Sequence, residues 1–319
     1  MSSPKDKRTL LFFGPTGVGK TDALRSLSDF YELISADSRQ VYRGLDIGTA
    51  KPDAGERQRI RHHLIDICDP RDSWDVGQFV EAADRLIPQI AGRGRVPVVS
   101  GGTAFYLKGF LFGLPGTPRG SAKLRAELEH RLEQRGLAEL RRELKTVDPE
   151  AERRIAENDR YRVLRALEVY HTAGTPLSSF DEPTVPREGV HARLVGVYRP
   201  REDLYDRINR RVEYMFHCGL PSEVAGLRDQ GYVWTDPGMQ TIGYREFGEL
   251  GGDPPWSEST LRRIQDRIAR NSRRYAKRQE TFFRRLPGVS WVDATDPAAL
   301  RRVLDTAVEG LYPTGSFFD

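Results

Sequence analysis

The sequence contains little cysteine and no long apolar segment. Cys68 and Cys218 are the two cysteines among 319 residues, too few for a disulfide framework or a four-cysteine zinc site. We therefore expect a cytoplasmic protein in which both thiols are buried and unreactive. No apolar run approaches the roughly 20 residues that a membrane-spanning helix requires, so the sequence predicts no membrane partner.

The sequence also lacks a recognisable metal-ligand pattern and a strong overall charge. His62 and His63 are adjacent but have no partner at metal-ligand spacing, which favours a structural role for both. The 50 basic residues nearly balance the 46 acidic ones, and the formal net charge is +4. The distribution of the charge is therefore more informative than its sum.

Short strand-like runs alternate with helix-like periodicity along most of the chain. This alternation is typical of an α/β fold with a parallel sheet flanked by helices. The predicted strands span residues 9–13, 31–36, 63–67, 96–100, 192–198 and 289–292.

The segment between the fourth and fifth predicted strands is too long for one crossover helix. Boundary-like loops bracket it at residues 113–118 and 174–189. Leucines recur inside it at helical spacing, at positions 124, 128, 132, 137, 140 and 144. The sequence therefore predicts an α/β core formed by residues 1–115 and 190–319, and an inserted all-helical subdomain at 116–189.

A phosphate-binding loop follows the first predicted strand. The run Gly14, Pro15, Thr16, Gly17, Val18, Gly19, Lys20 and Thr21 has the spacing of a P-loop. Glycines let several backbone N–H groups converge on phosphate oxygens where the next helix begins. In such loops the lysine reaches the outer phosphates and the hydroxyl binds Mg²⁺, and we assign these roles to Lys20 and Thr21. A strand-to-helix turn without a ligand is the alternative.

A carboxylate follows the second predicted strand. Asp37 comes directly after the apolar run, and ligands of open parallel sheets bind at the carboxyl ends of the strands. We therefore expect Asp37 to lie near the P-loop, where it accepts a proton or binds magnesium directly or through water. The alternative is a cap for the next helix.

The fourth predicted strand lacks the acidic end that holds magnesium in many nucleoside triphosphatases. It leads instead into Ser100, Gly101, Gly102 and Thr103. Two glycines and a hydroxyl at a strand end favour a second close approach of backbone to ligand, with Thr103 as a hydrogen-bond donor. A tight strand-to-helix turn is the alternative.

A strongly basic helical segment covers residues 261–285. It contains ten basic residues against two acidic ones, interleaved with Tyr275, Phe282 and Phe283. Such a face neutralises a nucleic-acid backbone and stacks on unpaired bases. A solvated helix face is the alternative, although its charges would normally balance.

In combination these segments resemble the bacterial tRNA dimethylallyltransferase family. The matching segments are residues 14–21, 34–42, 46–52, 62–66, 101–103, 158–159, 162, 165–168, 242–245 and 275–279. The resemblance covers almost the whole chain. It implies a P-loop nucleotide-binding-type core and transfer of a dimethylallyl group from dimethylallyl diphosphate to the exocyclic amine of the adenosine 3′ of the anticodon.

The resemblance also implies roles for individual residues. The P-loop would hold the diphosphate of the prenyl donor, and Asp37 would be the general base for the attacking amine. Lys20, Thr21, Mg²⁺ and Arg278 would stabilise the departing diphosphate, and Thr103 would contact tRNA near the target. A monomer without an obligate protein partner is the simplest case.

Contacts with the anticodon stem–loop are implied for positions in both the core and the insertion. They are Asp37, Ser38, Arg39, Gln40, Thr103, Arg125, Tyr161, Arg162, Arg165, Gln240, Gly243, Tyr244, Arg245, Lys277, Arg278, Gln279 and Arg284.

Two alternative functions fit part of the sequence. A prenyltransferase that uses free AMP, ADP or ATP as acceptor shares the chemistry, but it needs neither the insertion nor the basic segment. A P-loop kinase or RNA-binding nucleoside triphosphatase fits the loop and fails to account for the later motifs.

Overall fold

The computed structural model describes residues 7–25, 30–118 and 120–312. Residues 1–6, 26–29 and 313–319 of the predicted core and position 119 of the predicted insertion lie outside these residues. Within them, six strands form one sheet in which all pairs are parallel, with the order β3-β2-β4-β1-β5-β6. The strands are β1 (Lys7–Phe13), β2 (Tyr31–Ser35), β3 (Arg61–His63), β4 (Val96–Gly101), β5 (Val190–Tyr198) and β6 (Val289–Asp293). The predicted fold class is confirmed.

Helices connect and cover these strands. The α-helices of the described residues are α1 (Lys20–Arg25), α2 (Ala54–Arg59), α3 (Val76–Gly92), α4 (Ala104–Phe112), α5 (Ala122–Arg135), α6 (Leu137–Val147), α7 (Pro149–Arg154), α8 (Arg160–Ala173), α9 (Arg201–His217), α10 (Leu220–Asp229), α11 (Arg245–Leu250), α12 (Glu258–Phe283) and α13 (Pro297–Leu311), and a short 3₁₀ helix covers Leu177–Ser179. None of the helices described is both long and apolar enough to cross a bilayer.

The centre of the sheet is apolar because its strands are covered on both faces. In β1 the run from Leu10 to Phe13 has no exposed surface, and β1 lies between β4 and β5. The carboxyl ends of β1, β2 and β4 therefore meet at one edge of the sheet. The loops that follow these three strands carry the residues described below.

The third strand lies earlier than the sequence predicts. We expected residues 63–67, whereas β3 is Arg61–His63. Leu64 and Asp66 adopt left-handed backbone conformations with φ of 63° and 58°, which end the extended run. The Asp66 carboxylate holds this turn by accepting from Lys51 Nζ at 2.5 Å and Arg57 Nη1 at 2.7 Å.

The described chain divides into two compact units. One contains the residues up to Leu111 and from Arg187 onward, and the other is Phe112–Pro186. The second unit is helical and has its own apolar core, which includes Leu128, Leu140 and Leu167. One cysteine expectation is wrong, since Cys68 is buried but Cys218, at the end of α9, is exposed.

Candidate active site

The P-loop joins β1 to α1. Gly17 and Gly19 have φ of 81° and 102°, a region that favours glycine. A Cβ at Gly14 would lie 2.6 Å from the Val197 carbonyl oxygen, so only glycine fits there. The backbone therefore passes from the buried strand into the helix along the path that the motif predicts.

The loop forms one wall of a cavity of about 480 Å³. Further walls come from the ends of β2 and β4, from the segment around Thr49 and from α9. The polar and charged lining residues include Thr16, Lys20, Thr21, Asp22, Ser35, Asp37, Gln40, Thr49, Glu56, Arg59, His62, Ser100, Arg207, Arg210 and Arg211. The structure thus brings Thr16, Gly17, Gly19, Lys20 and Thr21 of the predicted loop to one cavity with Asp37; Gly14, Pro15 and Val18 do not line it.

Lys20 lies against its own loop. Its Nζ donates to the carbonyl oxygens of Gly14 at 2.8 Å and Pro15 at 3.1 Å. Burial lowers the pKa of Lys20 to about 8; the charge of Asp37 opposes this shift and that of Arg211 adds to it. An anion in the cavity would restore a full positive charge on Lys20. Thr21 is exposed and lines the same cavity.

Helix α9 contributes a set of arginines that the sequence interpretation missed. Arg207 Nε donates to the Gly17 carbonyl oxygen at 3.0 Å, and Arg211 Nη2 donates to Thr16 Oγ1 at 2.8 Å. Arg210 also lines the cavity. Residues three and four apart share a helix face, so these arginines converge on the loop.

Arg211 is an unusual group in this cluster. Its Nε is buried and has no hydrogen-bond partner in the described structure. Burial also lowers the pKa of Arg211, with the charge of Asp37 acting in the opposite direction. A buried donor without a partner is costly. A bound anion would supply the missing acceptor.

Asp37 both caps a turn and faces the cavity. Its Oδ1 accepts from the backbone N–H groups of Arg39 at 2.9 Å and Gln40 at 3.4 Å. The alternative of a helix cap is wrong, because Asp37 caps a turn and the next helix, α2, is capped by Asp53. The same Asp37 carboxylate lines the cavity with Lys20. The two roles are compatible because the cap fixes the carboxylate without removing it from the cavity.

The turn after β4 packs against the end of β2. The Thr103 N–H donates to the Ala36 carbonyl oxygen at 3.0 Å, and Thr103 Oγ1 accepts from the Ser38 N–H at 2.9 Å. A Cβ at Gly101 would lie 2.2 Å from the Ala36 carbonyl oxygen, which requires glycine. The Gly-Gly-Thr turn therefore fixes the two residues that flank Asp37.

Gln279 of α12 lies between these two loops. Its Oε1 accepts from the Thr16 N–H at 2.8 Å, and its Nε2 donates to the Gly102 carbonyl oxygen at 2.7 Å. The residue is 4% exposed. Its side chain therefore lies in the core rather than on the expected tRNA surface.

Tyr275 and Arg278 lie on the same helix. The Tyr275 hydroxyl interacts with the side chains of Thr103 and Gln279, and burial raises the pKa of Tyr275 to about 12, with a further contribution from Asp37. Arg278 is exposed, is not among the cavity-lining residues, and has its guanidinium carbon 5.9 Å from the centre of the Tyr275 ring. The structure thus does not bring Arg278 into the cavity.

The expected tRNA positions of the core fall into exposed and buried groups. Arg39, Gln240, Lys277, Arg278 and Arg284 are exposed, and Arg284 pairs with Glu280 at 2.9 Å. Tyr244 is fully buried; its hydroxyl donates to Glu223 Oε1 at 2.6 Å and accepts from the Gly48 N–H at 3.0 Å. The remaining positions are partly or fully enclosed: Ser38, Gln40, Gly243 and Arg245.

The expected tRNA positions of the helical unit also differ in their surroundings. The guanidinium carbon of Arg125 lies 5.1 Å from the centre of the Tyr161 ring, and Tyr161 is 68% exposed. Arg162 pairs with Asp159 at 3.0 Å. Arg165 donates to the Pro118 carbonyl oxygen at 2.8 Å and pairs with Glu168 at 2.9 Å. Tyr161 is therefore exposed, whereas Arg125 and Arg165 are both partly buried and paired with carboxylates, Arg125 with Glu129 at 2.8 Å.

Comparison with known proteins places the chain among prenyl-transferring enzymes. The model of the IPP transferase family matches residues 40–286. The chain belongs to the IPP transferase family. Two similar relatives are named tRNA dimethylallyltransferase. The one from Borrelia turicatae is 40% identical over 94% of this chain and 98% of its own length, and the one from Geobacter metallireducens is 40% identical over 98% and 100%.

Solved structures give the same family assignment. The tRNA isopentenylpyrophosphate transferase of Bacillus halodurans is 37% identical with a TM-score of 0.64, covering 98% of this chain and 97% of that chain. A eukaryotic dimethylallyltransferase acting on tRNA is 26% identical with a TM-score of 0.78, covering 97% of this chain and 80% of that chain. The resemblance found in the sequence is confirmed: this IPP transferase family member is an enzyme of the prenyltransferase class.

Proposed function

We propose that this chain transfers the dimethylallyl group of dimethylallyl diphosphate to the exocyclic amine of the adenosine 3′ of the anticodon in tRNA, and releases diphosphate. The observation that carries the proposal is one cavity that combines a P-loop, an arginine cluster and the Asp37 carboxylate. Cations at one end suit a diphosphate leaving group, and a carboxylate suits an amine that must lose a proton.

The diphosphate would bind between the P-loop and α9. Lys20 would move from its loop carbonyls to the phosphate oxygens and gain a full positive charge there. Arg211 would satisfy its buried Nε with a phosphate oxygen, and Arg207 and Arg210 would add charge from the same helix face. These cations stabilise negative charge as the bond between the allylic carbon and the diphosphate oxygen breaks.

Asp37 would orient the substrate amine and accept its proton. The amine nitrogen attacks the allylic carbon, the carbon–oxygen bond to diphosphate breaks, and one amine proton passes to the Asp37 carboxylate. Hydrogen bonds that the Arg39 and Gln40 N–H groups donate hold that carboxylate in place. The turn around Thr103 supports it from the other side, through Ser38.

We propose Mg²⁺ as the metal of this reaction. The described residues include no cluster of three or more acidic, histidine or cysteine side chains that would hold a metal by themselves. This fits an ion that keeps most of its ligands from water and phosphate oxygens. The Thr21 hydroxyl would be its direct protein ligand, with Asp37 through water, and the ion would neutralise charge on the diphosphate.

tRNA would contact both units. In the core, the exposed cations Lys277 and Arg278 of α12, and Arg284 directly after it, would contact phosphates. In the helical unit, Arg125 and Tyr161 present a charged and aromatic pair suited to an unpaired base. The target adenosine must leave the anticodon stack to reach the cavity, which costs a few kcal/mol that these contacts would offset. We propose a monomer acting in the cytoplasm.

A labelled-donor assay tests the proposal. The protein is incubated with radiolabelled dimethylallyl diphosphate and Mg²⁺, together with either unmodified tRNA or AMP. We expect label in tRNA and none in AMP. Label in AMP alone would support the adenylate prenyltransferase alternative. Label in neither acceptor, together with steady phosphate release from ATP, would support a nucleoside triphosphatase instead.

A further inference from the structure

We propose that Gln279 is a positioning residue that sets the P-loop relative to the turn beside Asp37, and is not a tRNA-contacting residue. This inference rests on the proposed function, which assigns the diphosphate to the P-loop and the substrate amine to the turn that holds Asp37. The inference can be tested without turnover, because it concerns the geometry of the phosphate site.

The side-chain amide of Gln279 is paired at both ends, and the side chain also interacts with the Tyr275 hydroxyl. It accepts from Thr16 of the P-loop and donates to Gly102 of the turn after β4, although these positions are far apart in sequence. Both bonds are short, and the residue is 4% exposed. A buried amide with both ends paired fixes its partners, because breaking either bond leaves a buried polar group unsatisfied.

The space around the amide is equally restricted. A Cβ at Gly102 would lie 2.4 Å from Gln279 Nε2, so a larger residue at position 102 would displace the glutamine. Glycine at 102 and glutamine at 279 therefore fit each other. Sequence inspection could not separate this role from a tRNA contact, because Gln279 directly follows the exposed cations Lys277 and Arg278.

One hydrogen bond of Gln279 connects it to the diphosphate end of the cavity, and the other connects it to the residues beside Asp37. Thr16 also accepts from Arg211 through its hydroxyl, which connects Gln279 to the diphosphate end of the cavity. Gly102 precedes Thr103, which holds Ser38 next to Asp37. Gln279 therefore fixes the distance between the leaving group and the base. Reactions of this kind are sensitive to small displacements of such groups.

The test compares the same substitution at two positions of α12. Gln279→Met keeps the length of the side chain and removes both hydrogen bonds. Gln265→Met makes the same change at a partly exposed position of the same helix. We measure binding of inorganic pyrophosphate by calorimetry in the presence of Mg²⁺, binding of tRNA by filter retention, and the single-turnover transfer rate.

For Gln279→Met we expect pyrophosphate affinity to fall about tenfold and the transfer rate to fall at least as much. The tRNA affinity should stay within about twofold of wild type, and Gln265→Met should behave as wild type. Unchanged pyrophosphate affinity would overturn the proposal. A fall in tRNA affinity with normal pyrophosphate binding would make Gln279 a tRNA contact instead.

A second variant keeps the proposal testable if Gln279→Met unfolds. In Gln279→Glu the protonated carboxyl can still accept from the Thr16 N–H and donate to the Gly102 carbonyl oxygen, whereas the carboxylate repels that oxygen. Its pyrophosphate affinity relative to wild type should therefore rise as the pH falls from about 8 to about 5.5. A ratio that does not change with pH would contradict the bonding scheme. Because pyrophosphate binding needs no acceptor, this result stands apart from the labelled-donor assay.

Discussion

Asp37 combines a structural and a chemical role in one side chain. Its carboxylate caps the turn after β2 and lines the cavity. We expect Asp37→Asn to keep the cap, because the amide oxygen can accept the same N–H bonds, while losing the base. The single-turnover transfer rate should fall by about 10²–10⁴, with tRNA and pyrophosphate affinities close to wild type.

The control for this variant is Asp75→Asn. Asp75 caps α3 by accepting from the Gln78 N–H at 2.9 Å and is not among the cavity-lining residues. Transfer by the Asp75→Asn protein should be unchanged. If Asp37→Asn also transferred at the wild-type rate, Asp37 would be a cap and nothing more.

Lys20 gives the phosphate site a predictable pH dependence. Burial lowers its pKa to about 8 in the free protein, and a bound anion raises that pKa. The affinity for pyrophosphate is therefore full below pH 8 and should fall as the pH rises above it, by up to about tenfold per unit. Lys20→Arg keeps its charge across this range. We measure by calorimetry the pyrophosphate affinities of the wild-type and Lys20→Arg proteins at each pH. Their ratio cancels the effect of the titration of pyrophosphate itself. A ratio that stays constant above pH 8 would contradict the lowered pKa of Lys20.

At the scale of secondary-structure elements, α9 controls the phosphate site. The Nε atom of Arg211 is buried and has no hydrogen-bond partner in the described structure, which is costly in the free protein. Arg211→Gln should lower pyrophosphate affinity by about 1.5–3 kcal/mol, or roughly 10- to 150-fold, while the Tm stays the same or rises. Arg201→Gln, at the exposed first turn of α9, is the matched control. A large fall in Tm with normal affinity would assign Arg211 to the fold alone.

The helices and strands differ in how well the sequence predicted them. The strand at residues 289–292 and the helix at 261–285 lie within three residues of the observed β6 (Val289–Asp293) and α12 (Glu258–Phe283), because apolar periodicity and turn residues mark their ends locally. The strand at 63–67 was misplaced because left-handed residues follow β3. These conformations depend on Lys51 and Arg57 holding Asp66, and no local pattern reports such contacts.

At the scale of the whole molecule, the site joins loops and helices that lie far apart in the chain. The P-loop and Asp37 were predicted because each follows its own strand, and parallel strands share a carboxyl edge. The arginines of α9 and the amide of Gln279 reach the same cavity only through the tertiary fold. One local signal was available for α9: its buried residues Leu204, Ile208 and Val212 place Arg207 and Arg211 beside the buried face.

The two-unit organisation predicts that the helical unit can be removed. The two core residues that flank the helical unit are already in contact, since the Arg187 N–H donates to the Leu111 carbonyl oxygen at 2.8 Å. The helical unit also has its own apolar cluster. We expect a protein in which a short Gly-Ser linker replaces residues 112–186 to fold and to bind pyrophosphate within about twofold of wild type, because the lining residues of the cavity all belong to the core.

Transfer to tRNA should be lost from this shortened protein by about 10² or more, because contacts that offset the cost of unstacking the target base would be missing. The full-length double variant Arg125→Ala with Tyr161→Ala keeps the unit and removes the exposed Tyr161 ring together with the guanidinium group beside it. It should weaken tRNA binding without changing pyrophosphate affinity. Undiminished tRNA transfer by the shortened protein would show that the core alone, through exposed residues such as Arg39, Lys277 and Arg278, recognises the anticodon stem–loop.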